Sequence, residues 1–381
     1  MDFQLTEEQQ LIQKTAREFA AEHLAPGVIE RDEKAQFPAE QIRQLGSLGF
    51  MGMMVPEQWG GAGLDTVSYV IAMEEIARVD ASAAVVMSVN NSLVCQLLLD
   101  WANDTQREQV LTKLASGEWL GAFSLSEPQS GSDASNMRAF AQRDGSEYIL
   151  NGNKNWVTNG INSDVVILFA LTEKGIGHRG ISAFIVEKGR PGFTTGKKED
   201  KLGIRASDTC ELFFENCRIP VTNRIGEEGQ GFYIALKTLD GGRIGIAAQA
   251  LGIAQAALDR SREYAKERKQ FGRPISTFGA IRDKIATMAT EIAASRLLIY
   301  QAAVKKNAHE PFTKEAAMAK SFASQTALSA ARECVQIFGG YGYMREFGVE
   351  RLMRDAKITQ IYEGTTEIQQ LVIARSVLEE S

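Results

Sequence analysis

The hydrophobic period of this sequence changes twice, and few folds accommodate that. Through about residue 120 apolar residues recur at helical spacing; from Gly121 they fall into short β-rich runs; after Gly231 the helical period returns. Thr6-Glu7-Glu8-Gln9 has the form of a capping box, and Ile12, Ala16, Phe19, Ala20 and His23 follow at helical spacing before Pro26. Further helical patterns cover Ala39–Leu48, Thr66–Ala77, Ala83–Trp101 and Asp104–Ala115, with Gln58-Trp59-Gly60-Gly61-Ala62-Gly63 as a loop of turn residues.

In the middle of the chain, Val165–Leu171, Ile181–Val186 and Cys210–Phe214 are separated by clusters of Gly, Asn, Asp and Lys. Asn151-Gly152, inside the run Tyr148–Val157, carries the signal of a tight hairpin turn. After Gly231, Ile281, Ile285, Met288, Ile292, Ser295 and Ile299 form a stripe on one helix face, and several such helices in succession make a bundle. The expectation is an α+β multidomain chain. It has an N-terminal helical domain (1–120), a middle antiparallel β domain (121–231) and a C-terminal helical bundle (232–381).

The net charge of −6 argues against a phosphate-neutralising surface, so nucleic acid is not an expected partner. Cys95, Cys210, Cys217 and Cys334 are scattered and form no Cys-x-x-Cys pair, so they read as reduced, buried residues, and no metal site is expected. Met1-Asp2-Phe3-Gln4-Leu5 lacks the basic and apolar regions of a leader, and nowhere do about eighteen uninterrupted apolar residues occur. A soluble, cytoplasmic protein without membrane insertion is the expectation.

Gly175-Ile176-Gly177-His178-Arg179-Gly180 matches Gly-x-Gly-x-x-Gly, but it lies between two strand-like runs rather than opening a helix, and reads as a hairpin loop. No Walker-type loop occurs, and three widely spaced histidines suit neither a His-metal centre nor a Ser-His-Asp triad. The informative stretch is Ile361-Tyr362-Glu363-Gly364-Thr365-Thr366-Glu367-Ile368-Gln369. It places an acid in an apolar-flanked turn, where desolvation can raise its pKa. Taken alone, Glu363 reads more readily as a solvated or capping carboxylate at a helix start.

Other segments decide between these readings. Tyr362-Glu363-Gly364-Thr365 resembles the catalytic segment of acyl-CoA dehydrogenases. Ser126-Glu127-Pro128-Gln129-Ser130-Gly131-Ser132-Asp133 resembles that family's flavin-and-thioester loop, and Gln336-Ile337-Phe338-Gly339-Gly340-Tyr341-Gly342-Tyr343, followed by Glu346, Arg351 and Asp355, resembles its C-terminal signature. Lys154-Asn155-Trp156-Val157-Thr158 and Arg268-Lys269-Gln270-Phe271-Gly272 are similar to two more of its segments. The resemblance spans essentially the whole chain. It is nearest the short-chain, butyryl-type branch, through Leu239-Asp240-Gly241-Gly242-Arg243-Ile244 and Lys198–Arg205.

The resemblance implies FAD as cofactor and an acyl-CoA as substrate. Glu363 is then the base that takes the α-proton, and a backbone N–H at that residue helps hold the thioester oxygen. It further implies flavin contacts from Phe123, Leu125, Ser126, Ser132, Trp156, Val157 and Thr158, with Thr365 and Glu367 at the pyrophosphate and ribose. Arg268, Phe271, Gln336, Gly339 and Gly340 would grip the dinucleotide of a neighbouring subunit. Ser132, Asp240, Arg243 and Gly364 would face the substrate, although Asp240 and Arg243 also read as a plain helix ion pair. Gly242 stands where isovaleryl-type relatives carry their base, and Gly279 stands where a glutamine often bonds the cofactor. Leu93, Val94, Cys95 and Gln96 are expected at or behind the end of the acyl pocket. The implied assembly is a homotetramer, a dimer of dimers, passing electrons to an electron-transferring flavoprotein. A branched, alicyclic or dicarboxylic acyl group stays open. So do an oxygen-using oxidase-like flavoprotein and a non-catalytic acyl-CoA-binding relative.

Overall fold

A computed structural model describes residues 4–379; the opening Met1-Asp2-Phe3, part of the stretch read above for a leader, lies outside them. The first layer is helical: α1 (Glu7–Phe19), α2 (Val28–Glu33), α3 (Ala39–Ser47), α4 (Thr66–Ala77) and α5 (Ala81–Ser88). The capping box is present, with Thr6 Oγ1 accepting from Gln9 N and Gln9 accepting from Thr6 N. α5 runs on through a π-helical segment, Val89–Cys95, into α6 (Gln96–Trp101), and another π segment, Arg107–Leu111, joins α7 (Asp104–Gln106) to α8 (Thr112–Ala115). By length and composition Ala81–Trp101 could cross a membrane, but 89% of its apolar window is buried inside the protein. Its hydrophobicity serves the core, as in any helix that is apolar on every face.

The middle layer is a sheet of β1 (Gly121–Ser124), β2 (Phe140–Asp144), β3 (Glu147–Thr158), β4 (Val165–Leu171), β5 (Ile181–Glu187), β6 (Phe193–Thr195), β7 (Thr209–Pro220) and β8 (Arg224–Ile225). Its order is β6-β7-β3-β2-β4-β5-β8, with β1 joining β4. Most pairings are antiparallel, as expected, while β1 and β2 each meet β4 in parallel. The Gly-x-Gly-x-x-Gly match lies in the loop between antiparallel β4 and β5.

The Asn-Gly signal does not mark a turn. β3 passes straight through Asn151-Gly152, and the β2–β3 hairpin closes six residues earlier, at Gly145-Ser146, between the paired Asp144 and Glu147. Gly152 is instead at a shift of register against β7, with φ +136, and a Cβ there would lie 2.7 Å from the Ala139 Cα. Glycine is required by that close approach, so the same dipeptide serves a bulge.

The last layer holds α9 (Gly231–Glu267), a small hairpin of β9 (Lys269–Gln270) and β10 (Arg273–Pro274), and then α10 (Gly279–Asn307), α11 (Thr313–Phe338), α12 (Val349–Ile358) and α13 (Thr366–Glu379). On α10 Met288, Ile292, Ser295 and Ile299 of the expected stripe are buried. α9 is buried along most of its length, against the first layer on one side and α11 on the other. All four cysteines are buried and unpaired.

Candidate active site

Glu363 occupies a tight turn between α12 and α13, and both it and Gly364 have positive φ, +51 and +92. A left-handed glutamate is strained by about 1 kcal/mol or more and persists only where its surroundings over-determine it. Several contacts do so here. The Gly364 carbonyl accepts from Lys320 Nζ at 2.5 Å and from Gln369 Nε2 at 2.9 Å, and Gln369 Nε2 also reaches the Glu363 carbonyl at 3.3 Å. Tyr362 donates its hydroxyl to Gln249 Oε1 on α9, and Gln249 in turn donates to the Ala81 carbonyl at 2.7 Å.

The Glu363 carboxylate points at α9, where Gly242 leaves room for it. A methyl group at Gly242 would overlap Glu363 Oε2 and would come within 2.7 Å of Leu93 Cδ2. Gly245, one turn further, rests against the hydroxyls of Tyr69 and Ser88, each 2.6 Å from where its Cβ would stand. Tyr69 donates to Ser88 Oγ at 3.2 Å, and Ser88 Oγ lies 3.3 Å from Ser92 Oγ. The space beside the carboxylate is therefore closed by α4, by the π-helical segment and by the glycine face of α9.

Although Glu363 as a residue is partly exposed, its Oε2 is sealed from water and has no hydrogen-bond partner. Burial pushes its pKa up to about 7, against the opposing pull of Lys320 and Arg243. An unpartnered buried carboxylate oxygen is costly to a fold, and its position in a closed pocket makes Glu363 the candidate for a functional group. Arg243 ion-pairs with Asp240 at 2.6 Å, and Asp240 also accepts from Thr313 Oγ1 at 2.6 Å. Two of the four expected substrate-side residues, Asp240 and Arg243, are thus buried and hold each other, close enough to Glu363 for Arg243 to feel its charge.

The expected flavin residues fall into two groups. In the first, β1 packs on the π-helical segment: Gly121 N donates to Asn90 Oδ1 at 3.0 Å, and a Cβ at Gly121 would lie 2.6 Å from Val94. This sets Phe123, Leu125 and Ser126 beside the element that carries Leu93. Ser126 accepts from Asn155 N at 2.9 Å, joining its loop to β3. Lys154 and Glu127 reinforce that joint with a buried ion pair of 2.9 Å; Lys154 also donates to the Leu125 carbonyl, and Glu127 accepts from the backbone of Arg138 and Ala139. Burial lowers the Lys154 pKa to about 8. Burial alone would raise that of Glu127, but Lys154 and the two backbone donors overcome it, so the pair is ionised.

Between Lys154 and Val157 the register against β7 slips, and Trp156 sits in that bulge with φ +60 and 64% exposure. A bulge re-aims a side chain. Here it turns a large aromatic ring outward while Val157 stays buried and Thr158 is half-buried next to it. Ser132 is exposed in the loop after β1. Thr365 caps α13, its Oγ1 accepting from Ile368 N at 3.3 Å, and Glu367 is exposed in the first turn.

The second group gathers at the far end of α9. Arg268 follows the helix with its guanidinium 5.3 Å from the Tyr341 ring, and Tyr264 stacks on Phe338. Phe271 and Gly272, at φ +50 and +77, form the turn of the β9–β10 hairpin and leave Phe271 93% exposed. Gln336, Gly339 and Gly340 are exposed at the end of α11. At 1.5 Å per residue, Gly242 and Arg268 are about 39 Å apart along α9, so the two groups do not meet within one chain. Gly279 opens α10 with nothing within 4 Å of its Cβ position, leaving room for a longer side chain.

Of the four residues expected at the pocket's end, Leu93 faces the carboxylate and Val94 packs under β1. Cys95 is buried, its thiol pKa pushed up by burial, and Gln96 is bonded to Asp100 and Lys306. Sequence reasoning missed Lys320, Gln369, Gln249 and Tyr69, which surround Glu363 from four helices, α11, α13, α9 and α4.

An exposed aromatic ring at a bulge, nearby hydroxyls and a capped helix N-terminus beside a buried carboxylate suit a planar cofactor with a pyrophosphate tail. The models of the acyl-CoA dehydrogenase N-terminal, middle and C-terminal domains match residues 6–118, 122–217 and 229–378. An acyl-CoA dehydrogenase of Bacillus subtilis is 51% identical over 374 residues, covering 98% of this chain and 99% of the relative. Butyryl-CoA dehydrogenase from Megasphaera elsdenii superposes with a TM-score of 0.98 at 49% identity, covering all of both chains. A chain in a structure of the electron transferring flavoprotein of Acidaminococcus fermentans, described as work towards a mechanism of flavin-based electron bifurcation, gives a TM-score of 0.99 at 49% identity, again covering all of both chains. With every domain matched and half of its residues shared with such relatives, the chain belongs to the acyl-CoA dehydrogenase family.

Proposed function

We propose that this protein is an FAD-dependent short-chain acyl-CoA dehydrogenase in which Glu363 removes the substrate's α-proton. The observation that carries the reading is the buried, unpartnered Glu363 Oε2 in a pocket that Gly242 keeps open. With a pKa near 7 the carboxylate is ionised in a useful fraction at neutral pH and still basic enough to accept a proton. The thioester oxygen is held by the backbone N–H of Glu363, which polarises the carbonyl and acidifies the α-carbon. Bound FAD supplies the acceptor for the hydride leaving the β-carbon. Proton to Glu363 and hydride to the cofactor leave a trans-2-enoyl-CoA.

Trp156, Phe123, Leu125, Ser126, Val157 and Thr158 hold the flavin ring in this reading, with Ser132 in the same loop shared with substrate. Thr365 and Glu367 face the phosphates and ribose, Gly364 lies against the thioester, and Asp240 and Arg243 hold part of the CoA. A short acyl group is favoured because Gly245 is packed directly on Tyr69 and Ser88, leaving no depth beneath α9 there. The separation of Arg268, Phe271, Gln336, Gly339 and Gly340 from Glu363 supports a cofactor site completed by a second subunit, and the assembly proposed is a homotetramer, a dimer of such dimers. Similarity to the chain seen with an electron transferring flavoprotein supports such a flavoprotein as electron acceptor.

A panel of acetyl-, butyryl-, hexanoyl-, isovaleryl-, cyclohexanoyl- and glutaryl-CoA, added anaerobically to the yellow holoenzyme, tests the reading. Butyryl-CoA should bleach the flavin fastest. Fastest bleaching by the glutaryl or cyclohexanoyl thioester would overturn the short-chain assignment.

A further inference from the structure

We propose that Lys320 is a positioning residue for Glu363: its buried ammonium clamps the Gly364 carbonyl, fixing the strained turn, and its charge favours the ionised carboxylate. Lys320 projects from the middle of α11 and is 1% exposed. A lysine this deep is rare unless something requires its charge. Its hydrogen bond, 2.5 Å to the Gly364 carbonyl, falls on the second of two consecutive residues with positive φ. Among the described residues no carboxylate comes within salt-bridge distance of it. The nearby negative charge that it feels is that of Glu363.

The groups around Glu363 show why this cation matters. From α9 come Gly242 and Arg243, and Arg243 is already paired with Asp240 at 2.6 Å, which in turn binds Thr313. From α4 comes the Tyr69 hydroxyl and from the π-helical segment Leu93, with Ser88 and Ser92 bonded beneath Tyr69. α13 contributes Gln369, and the neighbouring Tyr362 is turned away to Gln249. Tyr69 and Tyr362 are neutral, their pKa values raised first by burial. Lys320 on α11 is therefore the one buried cation near Glu363, among the described residues, whose charge is not committed to another carboxylate. Burial lowers the pKa of Lys320, reinforced by Arg243, while the charge of Glu363 opposes that shift and holds the ammonium form.

The inference rests on Glu363 as the base, but its test reads Glu363 directly. The holoenzyme and its Lys320→Met, Lys320→Gln and Lys320→Arg variants are titrated by infrared difference spectroscopy. The protonated-carboxyl stretch that vanishes in Glu363→Gln is followed alongside the pH profile of kcat/KM for butyryl-CoA. In Lys320→Met and Lys320→Gln both midpoints should rise by about one pH unit, the low end of the effect of removing a close opposite charge. Lys320→Arg should keep its midpoint near that of the wild type, and FAD content should be unchanged in all three. Unmoved midpoints in the two neutral variants would overturn the proposal. So would a Gln variant that cannot be purified with FAD, because that marks a residue needed only for folding. If the infrared midpoint moves while Glu363→Gln keeps full activity, Lys320 still tunes Glu363 and it is the base assignment that fails.

Discussion

Glu363 combines a left-handed backbone with a buried carboxylate oxygen that has no partner, in a pocket that Gly242 keeps open. The acid was legible in the sequence as a carboxylate in an apolar turn. Its environment was not, because Lys320, Tyr69 and Gln249 come from distant segments and no local pattern links them to residue 363. The raised pKa has a direct consequence. Below about 7 the carboxylate is increasingly protonated and cannot accept the α-proton, so kcat/KM for a short acyl-CoA should fall tenfold per pH unit on the acidic side. Steady-state rates between pH 4 and 9 check this, and a limb at the ordinary carboxylate position near 4.5 would show that the pocket does not desolvate the base.

At the level of elements, backbone close approach does most of the positioning. Helical period and the capping box at Thr6 were legible because they depend on neighbours in the chain. The Asn151-Gly152 dipeptide misled, since a turn and a bulge ask the same freedom of glycine and only the partner strand distinguishes them. Trp156 shows the same limit: the sequence places a tryptophan in β3, but its outward aim comes from a register slip against β7. Gly242 offers a sharp test. Gly242→Ala would gain about 1 kcal/mol of helix propensity, but forcing a methyl group against Glu363 and Leu93 costs about 1–3 kcal/mol, so overpacking wins. The carboxylate must move, and a displacement of that order should lower kcat by about 10²-fold with FAD still bound. Stopped-flow flavin reduction measures it, and a wild-type rate would mean that Glu363 does not work from this position.

Across the whole molecule, the order of three layers was readable from periodicity alone, while the assembly was not, because its signals are surface residues. Phe271 at 93% exposure and the patch of Arg268, Gln336, Gly339 and Gly340 lie some 39 Å along α9 from the base. If a second subunit completes the cofactor site there, Arg268→Met should lose FAD on dilution together with dissociation of the oligomer. Sedimentation monitored at the flavin's visible band would show both at once, and a monomer sedimenting with its full FAD would contradict the shared site. The central claim is that Glu363 performs the proton abstraction, and anaerobic reduction of the bound flavin by butyryl-CoA in Glu363→Gln tests it most directly. The substitution keeps shape and backbone while removing the proton acceptor, so reduction should slow by roughly 10²–10⁴-fold with FAD content and enoyl-CoA binding intact. Reduction at close to the wild-type rate would place the base elsewhere.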